Sequence, residues 1–381
     1  MQTITAGGKA PYPIYVGDGT LRNLPDILRN ILKERAFQET QVLIVTDRNV
    51  AAHHLHPLTS VLKKGGFGVS KIVLPSGERL KSSRPLYRLL RSMVKRGMTR
   101  DATVVALGGG VIGDFAGYAA SVYMRGCNLV QLPTTLLAQV DSSIGGKVGI
   151  NLPEGKNLVG SFYNPLFVLS DTDILQTLPA REFSSGLAEI VKYGLIWNSG
   201  LFERIETFLR SHLQEGINPT AKMIRGQILP AREFLGGLIL DSSRIKAEIV
   251  RDDEREQGLR MLLNFGHTFG HALERATRYR RYLHGEAVFL GMRIAALLSS
   301  SLGLIKEDEV ERITGLLSLF PLPPVKGLSL KKLFAAMDSD KKKRGGSIHY
   351  VVLEKIGRAV TRTGIPDRLV RECIESVIQE Q

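Results

Sequence analysis

The stretch LLNFGHTFGHALER, residues 262–275, sets two imidazoles four positions apart, at His267 and His271. On a helix that spacing puts both on one face. It is also the spacing by which a single helix presents two nitrogens to a metal. Glu189 and Lys192 stand three apart in SGLAEIVKYG, again on one helix face. His284 opens LHGEAV at a helix start. Glu189, His267, His271 and His284 therefore form a pool of candidate ligands for a borderline metal. Three protein ligands with one open position is the catalytic zinc pattern, and spacing alone does not say which three bind.

A second group of residues suits phosphate. In ALGGGVIGDFAG, Gly108, Gly110 and Gly113 fit G-x-G-x-x-G between a strand and a helix. Glycine lets the backbone approach a pyrophosphate, and the helix N-terminus favours its charge. The plainer alternative is a tight turn that needs positive φ. The acid expected about 20 residues downstream is missing. Asp47 and Glu78 instead close two earlier strands, at the carboxyl ends where open α/β sheets bind ligands. The next stretch, PTTLLAQVDSSIGGKVGINLPEGKNLVGSFYNP, crowds Thr134, Thr135, Asp141, Gly145, Gly146, Lys147, Lys156 and Asn157 into 133–165. Lysines beside paired glycines suit phosphate; a solvated loop is the bland alternative.

These residues need elements to hold them. QVLIVTD (41–47), KIVLPSGE (71–78), ATVVALGGG (102–110), NLVQLPTT (128–135) and PLFVLSD (165–171) are short apolar runs that predict buried strands. PLYRLLRSMVKRG (85–97) and similar stretches between them fit helices. The alternation predicts a mostly parallel, Rossmann-like sheet covered on both faces. After about residue 178 the segments carrying Glu189, His267 and His284 all read as helices, with TLPARE marking a boundary. The expectation is an α/β domain over 1–178 and an all-α domain over 179–381. The stretch 214–241 looks irregular.

Bulk properties agree. A chain of 381 residues exceeds one hydrophobic core, and 43% hydrophobic with 23% charged residues is ordinary for a globular protein. Two distant cysteines, Cys127 and Cys373, exclude a disulfide framework and point to a reducing, cytoplasmic setting. The net charge of +14 suits a polyanionic substrate or cofactor. Nucleic acid is not expected, because the basic clusters RATRYRRY and DKKKRGG are short and lack interleaved aromatic stripes. No segment looks like a signal peptide or approaches the ~18 apolar residues of a membrane span.

Several motifs together, ALGGGVIGDFAGYAASVYMRG, LPTTLLAQVDSSIGGKVGIN, GKNLVGSFYNP, SGLAEIVKYGLI, DDEREQGLRMLLNFGHTFGHALE, LHGEAVFLGM and DKKKRGG, resemble 3-dehydroquinate synthases in type and order, from residue 47 to about 345. The resemblance implies an NAD-binding α/β domain, a helical domain, an active site in the cleft between them, and a homodimer. It implies that Glu189, His267 and His284 bind zinc or cobalt. It implies NAD contacts from Asp47, Glu78, Lys81, Gly109, Gly110, Asp114, Thr134, Thr135, Asp141, Lys147, Lys156 and Thr177. It implies substrate contacts from Lys147, Asn157, Lys192, Lys246, Arg260, Asn264, His271 and Lys341, with Arg125 supplied across the dimer to the substrate phosphate. The implied reaction converts 3-deoxy-D-arabino-heptulosonate 7-phosphate (DAHP) into 3-dehydroquinate and phosphate. Two other enzyme classes are alternatives: a cyclase making a 2-deoxy-scyllo-inosose or a valiolone, and a metal-dependent polyol dehydrogenase. Arg260 and Asn264 in LRMLLNFGHT favour the substrate with a carboxylate.

Overall fold

A computed structural model of the chain describes residues 1–33, 41–213, 220–325, 327–343 and 347–379, the side chains of 33 and 338–343 excepted. The chain forms two compact units. One is Met1–Leu178 with Arg232–Glu254; the other is Pro179–Ala231 with Arg255–Gln381.

The first unit is built on a seven-stranded sheet. Its strands are β1 (Gln2–Ala6), β2 (Tyr12–Gly17), β3 (Gln41–Asp47), β4 (Gly68–Leu74), β5 (Thr103–Gly108), β6 (Asn128–Pro133) and, after the hairpin β7 (Lys147–Leu152) and β8 (Gly155–Phe162), β9 (Phe167–Asp171). The order is β1-β2-β9-β6-β5-β3-β4. Every pairing from β2 to β4 is parallel, and only the edge hairpin β1–β2 runs antiparallel.

The central strands read as continuous apolar runs because both faces are covered. Val42 and Ile44 of β3 join Leu24, Leu28, Leu58 and Leu62 from the helices Leu24–Lys33 and His56–Lys64. Leu43 and Val45 point the other way, to Leu89, Met93, Phe115 and Ala119 from Ser83–Lys95 and Gly110–Val122. The chain steps outward from β3 to β4, then returns to β5 on the other side of β3. The carboxyl ends of β3 and β5 thus flank the point where strand order reverses, the ligand crevice of open α/β sheets.

Several features differ from expectation. The polar stretch 133–165 contains a β-hairpin, β7–β8. Its strands are interrupted by Gly149 and Gly160, which erases the apolar alternation that marks a strand. The expected contiguous run 179–381 is interrupted, because the helix Arg232–Asp252 packs in the first unit. There Ser243 Oγ donates to the Gln139 carbonyl at 3.4 Å, and Arg232 pairs with Asp173 at 2.9 Å. Within 214–241, residues 214–219 lie outside the described residues. The rest holds the helix Ala221–Ile228 and the start of Arg232–Asp252. Pro230 separates the two helices, and Gly226, Gly236 and Gly237 dilute their pattern.

The second unit is mainly helical rather than all-α as expected, because it adds a hairpin, β10 (Tyr350–Lys355) with β11 (Arg358–Arg362). Its helix Ala180–Ile196 is buried at every residue from Phe183 to Ile196, so it runs through the core with no solvent face. Ser199–His212, Ala221–Ile228 and His284–Ser301 pack against it, and His267–Ala276 and Glu307–Ser318 pack on His284–Ser301. No described helix is long and apolar enough to cross a membrane.

Candidate active site

In the second unit, two packing contacts bring the helix starts together. Gly291 lies so close to the backbone of Gly266 that a Cβ there would sit 2.0 Å from its carbonyl oxygen. A Cβ on Gly285 would sit 1.9 Å from the Ser185 carbonyl oxygen, and the Gly285 N–H donates to Ser185 Oγ at 3.0 Å. Arg181 grips Glu286 with both arms of its fork, at 2.6 and 2.8 Å. The helix begun by His284 is thereby fixed against the helix carrying Glu189.

The result is a compact constellation. Glu189 Oε1 lies 3.5 Å from His267 Nε2 and 3.6 Å from His284 Nε2. Ligands held about 2.1 Å from a tetrahedral ion stand roughly 3.4 Å apart, so this spacing fits one ion. Each imidazole also has an acceptor near Nδ1. The Phe265 carbonyl lies 3.1 Å from that of His267, and Glu274 Oε2 lies 3.4 Å from that of His284. A hydrogen on Nδ1 leaves the Nε2 lone pair directed at Glu189.

Glu189 is fully buried, and no hydrogen bond of ordinary geometry reaches its oxygens. Its neighbour Lys192, also buried, forms an ion pair with Oε2. Burial pushes the Glu189 carboxyl up, but Lys192 and the two histidines outweigh it and hold the group well below the usual carboxylate range. A buried carboxylate facing two imidazole nitrogens is an O, N, N donor set that fits a divalent ion such as zinc or cobalt.

The i, i+4 pair is divided. His271 is exposed and its ring meets that of His267 edge-on at 5.4 Å. It belongs with Glu274 and His284 in a second close group, not in the group around Glu189. Asn264 donates to Glu256 at 2.9 Å, and Arg260 is buried at 3% exposure, both on the short helical turn Leu259–Asn264. The side chain of Lys341 lies outside the described residues.

In the first unit, the nucleotide candidates follow the carboxyl ends of parallel strands. After β3, Asp47 Oδ1 accepts from the Asn49 and Val50 amides and from Ser76 Oγ. After β4, Lys81 is buried and pairs with Asp114 at 2.5 Å and with Asn157. Glu78 accepts from Asn151 at 2.7 Å in the same cluster. After β5, Gly109 caps the helix Gly110–Val122. None of Gly108, Gly109, Gly110 or Gly113 has positive φ, so a turn requirement does not explain them. Close neighbours do: a Cβ on Gly109 would sit 2.9 Å from Thr135, and one on Gly110 2.9 Å from Ser142.

After β6, Thr134 is buried with its hydroxyl unpartnered, and Thr135 Oγ1 accepts from the Ala138 amide. Asp141 takes Lys246 Nζ at 2.6 Å. After β9, Thr177 bonds His54 at 2.7 Å. Lys147 opens β7, and Lys156 lies on β8 beside Asn157.

Arg125 stands apart. It lies at the far end of the helix Gly110–Val122, about 20 Å along the axis, just before the amino end of β6. It is exposed, and both it and Met124 have positive φ, at 65° and 48°.

The residues that sequence reasoning missed are Glu274, Arg181, Ser185 and Glu286. Glu274 had a signal: it continues the face of His267 and His271 at the next helical repeat.

The sequence model of the 3-dehydroquinate synthase N-terminal domain matches residues 71–185, and that of the C-terminal domain matches 186–343. A curated 3-dehydroquinate synthase from Acidithiobacillus ferrooxidans is 42% identical over 98% of this chain and 97% of its own length. A solved 2-epi-5-epi-valiolone synthase from Streptomyces hygroscopicus subsp. jinggangensis, with NAD+ and Zn2+ bound, is similar at TM-score 0.85 and 28% identity over 99% of both chains. A 2-deoxy-scyllo-inosose synthase complexed with carbaglucose-6-phosphate, NAD+ and Co2+ gives TM-score 0.80 at 25% identity, over 98% of this chain and 100% of that one. With both domain models and a full-length curated relative in agreement, the chain belongs to the 3-dehydroquinate synthase family.

Proposed function

We propose that the protein is a 3-dehydroquinate synthase, a carbon–oxygen lyase of the shikimate pathway that converts DAHP into 3-dehydroquinate and phosphate. The observation that carries this reading is 42% identity to a curated enzyme of that name along nearly all of both chains. Identity to the cyclases that make a valiolone or an inosose is 28% and 25%. The reaction is redox-neutral overall. A hydroxyl is oxidised, phosphate leaves by β-elimination, the carbonyl is reduced, and the opened ring closes by an intramolecular aldol step.

When bound, NAD accepts and returns one hydride, and a divalent ion acidifies the hydroxyl to be oxidised. Glu189, His267 and His284 would hold the ion. Asp47, Glu78, Lys81, Gly109, Gly110, Asp114, Thr134, Thr135, Asp141, Lys147, Lys156 and Thr177 are the residues proposed to hold NAD. Arg260 would pair with the substrate carboxylate in bidentate fashion. Lys147, Asn157, Lys192, Lys246, Asn264, His271 and Lys341 would contact the remaining substrate oxygens, the cations stabilising the departing phosphate.

The position of Arg125 away from the other candidates supports a homodimer in which it serves the neighbouring subunit's substrate phosphate. Mixing two inactive variants, Arg125→Ala and His271→Ala, then restores part of the activity. The expected setting is the cytoplasm.

The test is incubation with DAHP, catalytic NAD and zinc. Phosphate and dehydroquinate appear in equal amounts, and NADH does not accumulate. Net NADH formation would identify a polyol dehydrogenase. Faster turnover of a hexose or heptulose phosphate without the carboxylate would identify another cyclase.

A further inference from the structure

His267, His271 and Glu274 occupy one face of the helix His267–Ala276. The carboxylate of Glu274 is 5% exposed, and its Oε2 lies 3.4 Å from Nδ1 of His284, across the turn that joins two helices. A charge so deeply placed costs several kcal/mol unless it is partnered. Its sequence neighbours Arg275 and Arg278 are exposed, whereas Glu274 turns inward to the imidazole.

We propose that Glu274 is the positioning residue for His284: its carboxylate takes the Nδ1 hydrogen, fixes the tautomer and turns Nε2 toward Glu189 and the ion. The other histidine has a matching arrangement with a weaker acceptor, the Phe265 carbonyl 3.1 Å from Nδ1. The two nitrogens that face Glu189 are both Nε2, which is what acceptors at both Nδ1 atoms produce. Outer acceptors of this kind hold ring orientation and raise ligand basicity. This inference rests on the reading of His284 as a metal ligand. The rival is a second ion held by His271, Glu274 and His284, whose ligand atoms lie within 4.8 Å of one another.

The experiment uses the full chain and zinc alone, with affinity measured by competition against a chromophoric chelator. Glu274→Ala weakens zinc about 10–100-fold. Glu274→Gln, which keeps the size and an acceptor but not the charge, falls between that variant and the wild type. His284→Ala loses more than either. In chelator, the Gln variant melts at the wild-type temperature, which separates positioning from folding.

Wild-type zinc affinity in both Glu274 variants, with loss in His284→Ala, overturns the proposal and leaves the metal reading intact. Wild-type affinity in His284→Ala sinks the metal reading and this proposal with it. Two zinc ions per wild-type chain, falling to one in Glu274→Ala, establishes the rival. Weakened zinc confined to an Ala variant that also melts early, with the Gln variant like wild type, means the carboxylate only supports the fold.

Discussion

Gly285→Ala is the sharpest probe of how the constellation is held. The added methyl carbon would lie 1.9 Å from the Ser185 carbonyl oxygen and 2.6 Å from its carbon, where real contacts below 3.0 Å essentially never occur. The obstacle is backbone, so no rotamer change relieves it. The helices Ala180–Ile196 and His284–Ser301 must separate by about 1 Å at the point where His284 faces Glu189. Helix propensity alone favours alanine by up to ~1 kcal/mol. Overpacking opposes it by about 1–3 kcal/mol or more, and loss of the Gly285 N–H to Ser185 bond adds about 1 kcal/mol. The balance is a loss of roughly 1–3 kcal/mol in urea unfolding. Displacing a ligand by about 1 Å also costs on the order of a hundredfold in turnover, and zinc affinity falls with it. Gly236→Ala is the control, since a Cβ there meets nothing within 4 Å and the residue is helical; it gains up to ~1 kcal/mol. If Gly285→Ala unfolds at the wild-type urea concentration and binds zinc normally, the helix contact does not position His284 and the reasoning fails.

Other expectations follow from the same geometry. Glu189→Ala and His267→Ala lose stoichiometric zinc, whereas His271→Ala keeps it and loses most turnover; metal analysis after dialysis checks both, and zinc loss from His271→Ala would reverse the two histidine roles. Burial lowers the pKa of His284, but the carboxylates of Glu189 and Glu274 beside its two nitrogens raise it to about 9. The proton and the ion compete for Nε2, so zinc affinity is full above that pH and falls about tenfold per unit below it. A flat affinity between pH 7 and about 9 would contradict this. Lys81→Met leaves Asp114, whose carboxyl burial already pushes up, without the ammonium 2.5 Å away. Urea unfolding should show a loss of about 2–4 kcal/mol, and a change under ~0.5 kcal/mol would mean that the pair is idle. Burial pushes the Cys127 thiol up to about 12, so alkylating reagents reach it only after denaturation; rapid labelling of the native protein would refute that.

The inner parallel strands were legible because burial on both faces leaves few positions for polar residues, whereas the edge strand β4, with no buried residue, shows only the run Ile72–Leu74. β3, β5, β6 and β9 are each a short, mostly apolar run. The hairpin β7–β8 was not legible, since glycine and polar residues occupy its strands. Helix Arg232–Asp252 begins inside the stretch that looked irregular, and nothing in an amphipathic pattern says which unit it will cover. The chemical residues could be pooled but not sorted. Four candidate ligands shared the right types, and only three-dimensional placement sets His271 apart from the group around Glu189. Glu274 was overlooked for a different reason: an acid on a helix face near arginines reads as solvated, and its inward turn depends on the later His284.

The interrupted first unit has a consequence for biosynthesis. Its last element, Arg232–Asp252, emerges only after the intervening 179–231 has been made. At ordinary elongation rates the wait between Leu178 and Glu254 is roughly 4–15 s. During that interval Asp141 has no Lys246 and Asp173 has no Arg232. Nascent chain of the second unit accumulates before the first can close. All seven strands of the sheet are made before this wait, but the unit lacks its last covering helix, so a ribosome that stalls before residue 254 carries the sheet without the partners of Asp141 and Asp173.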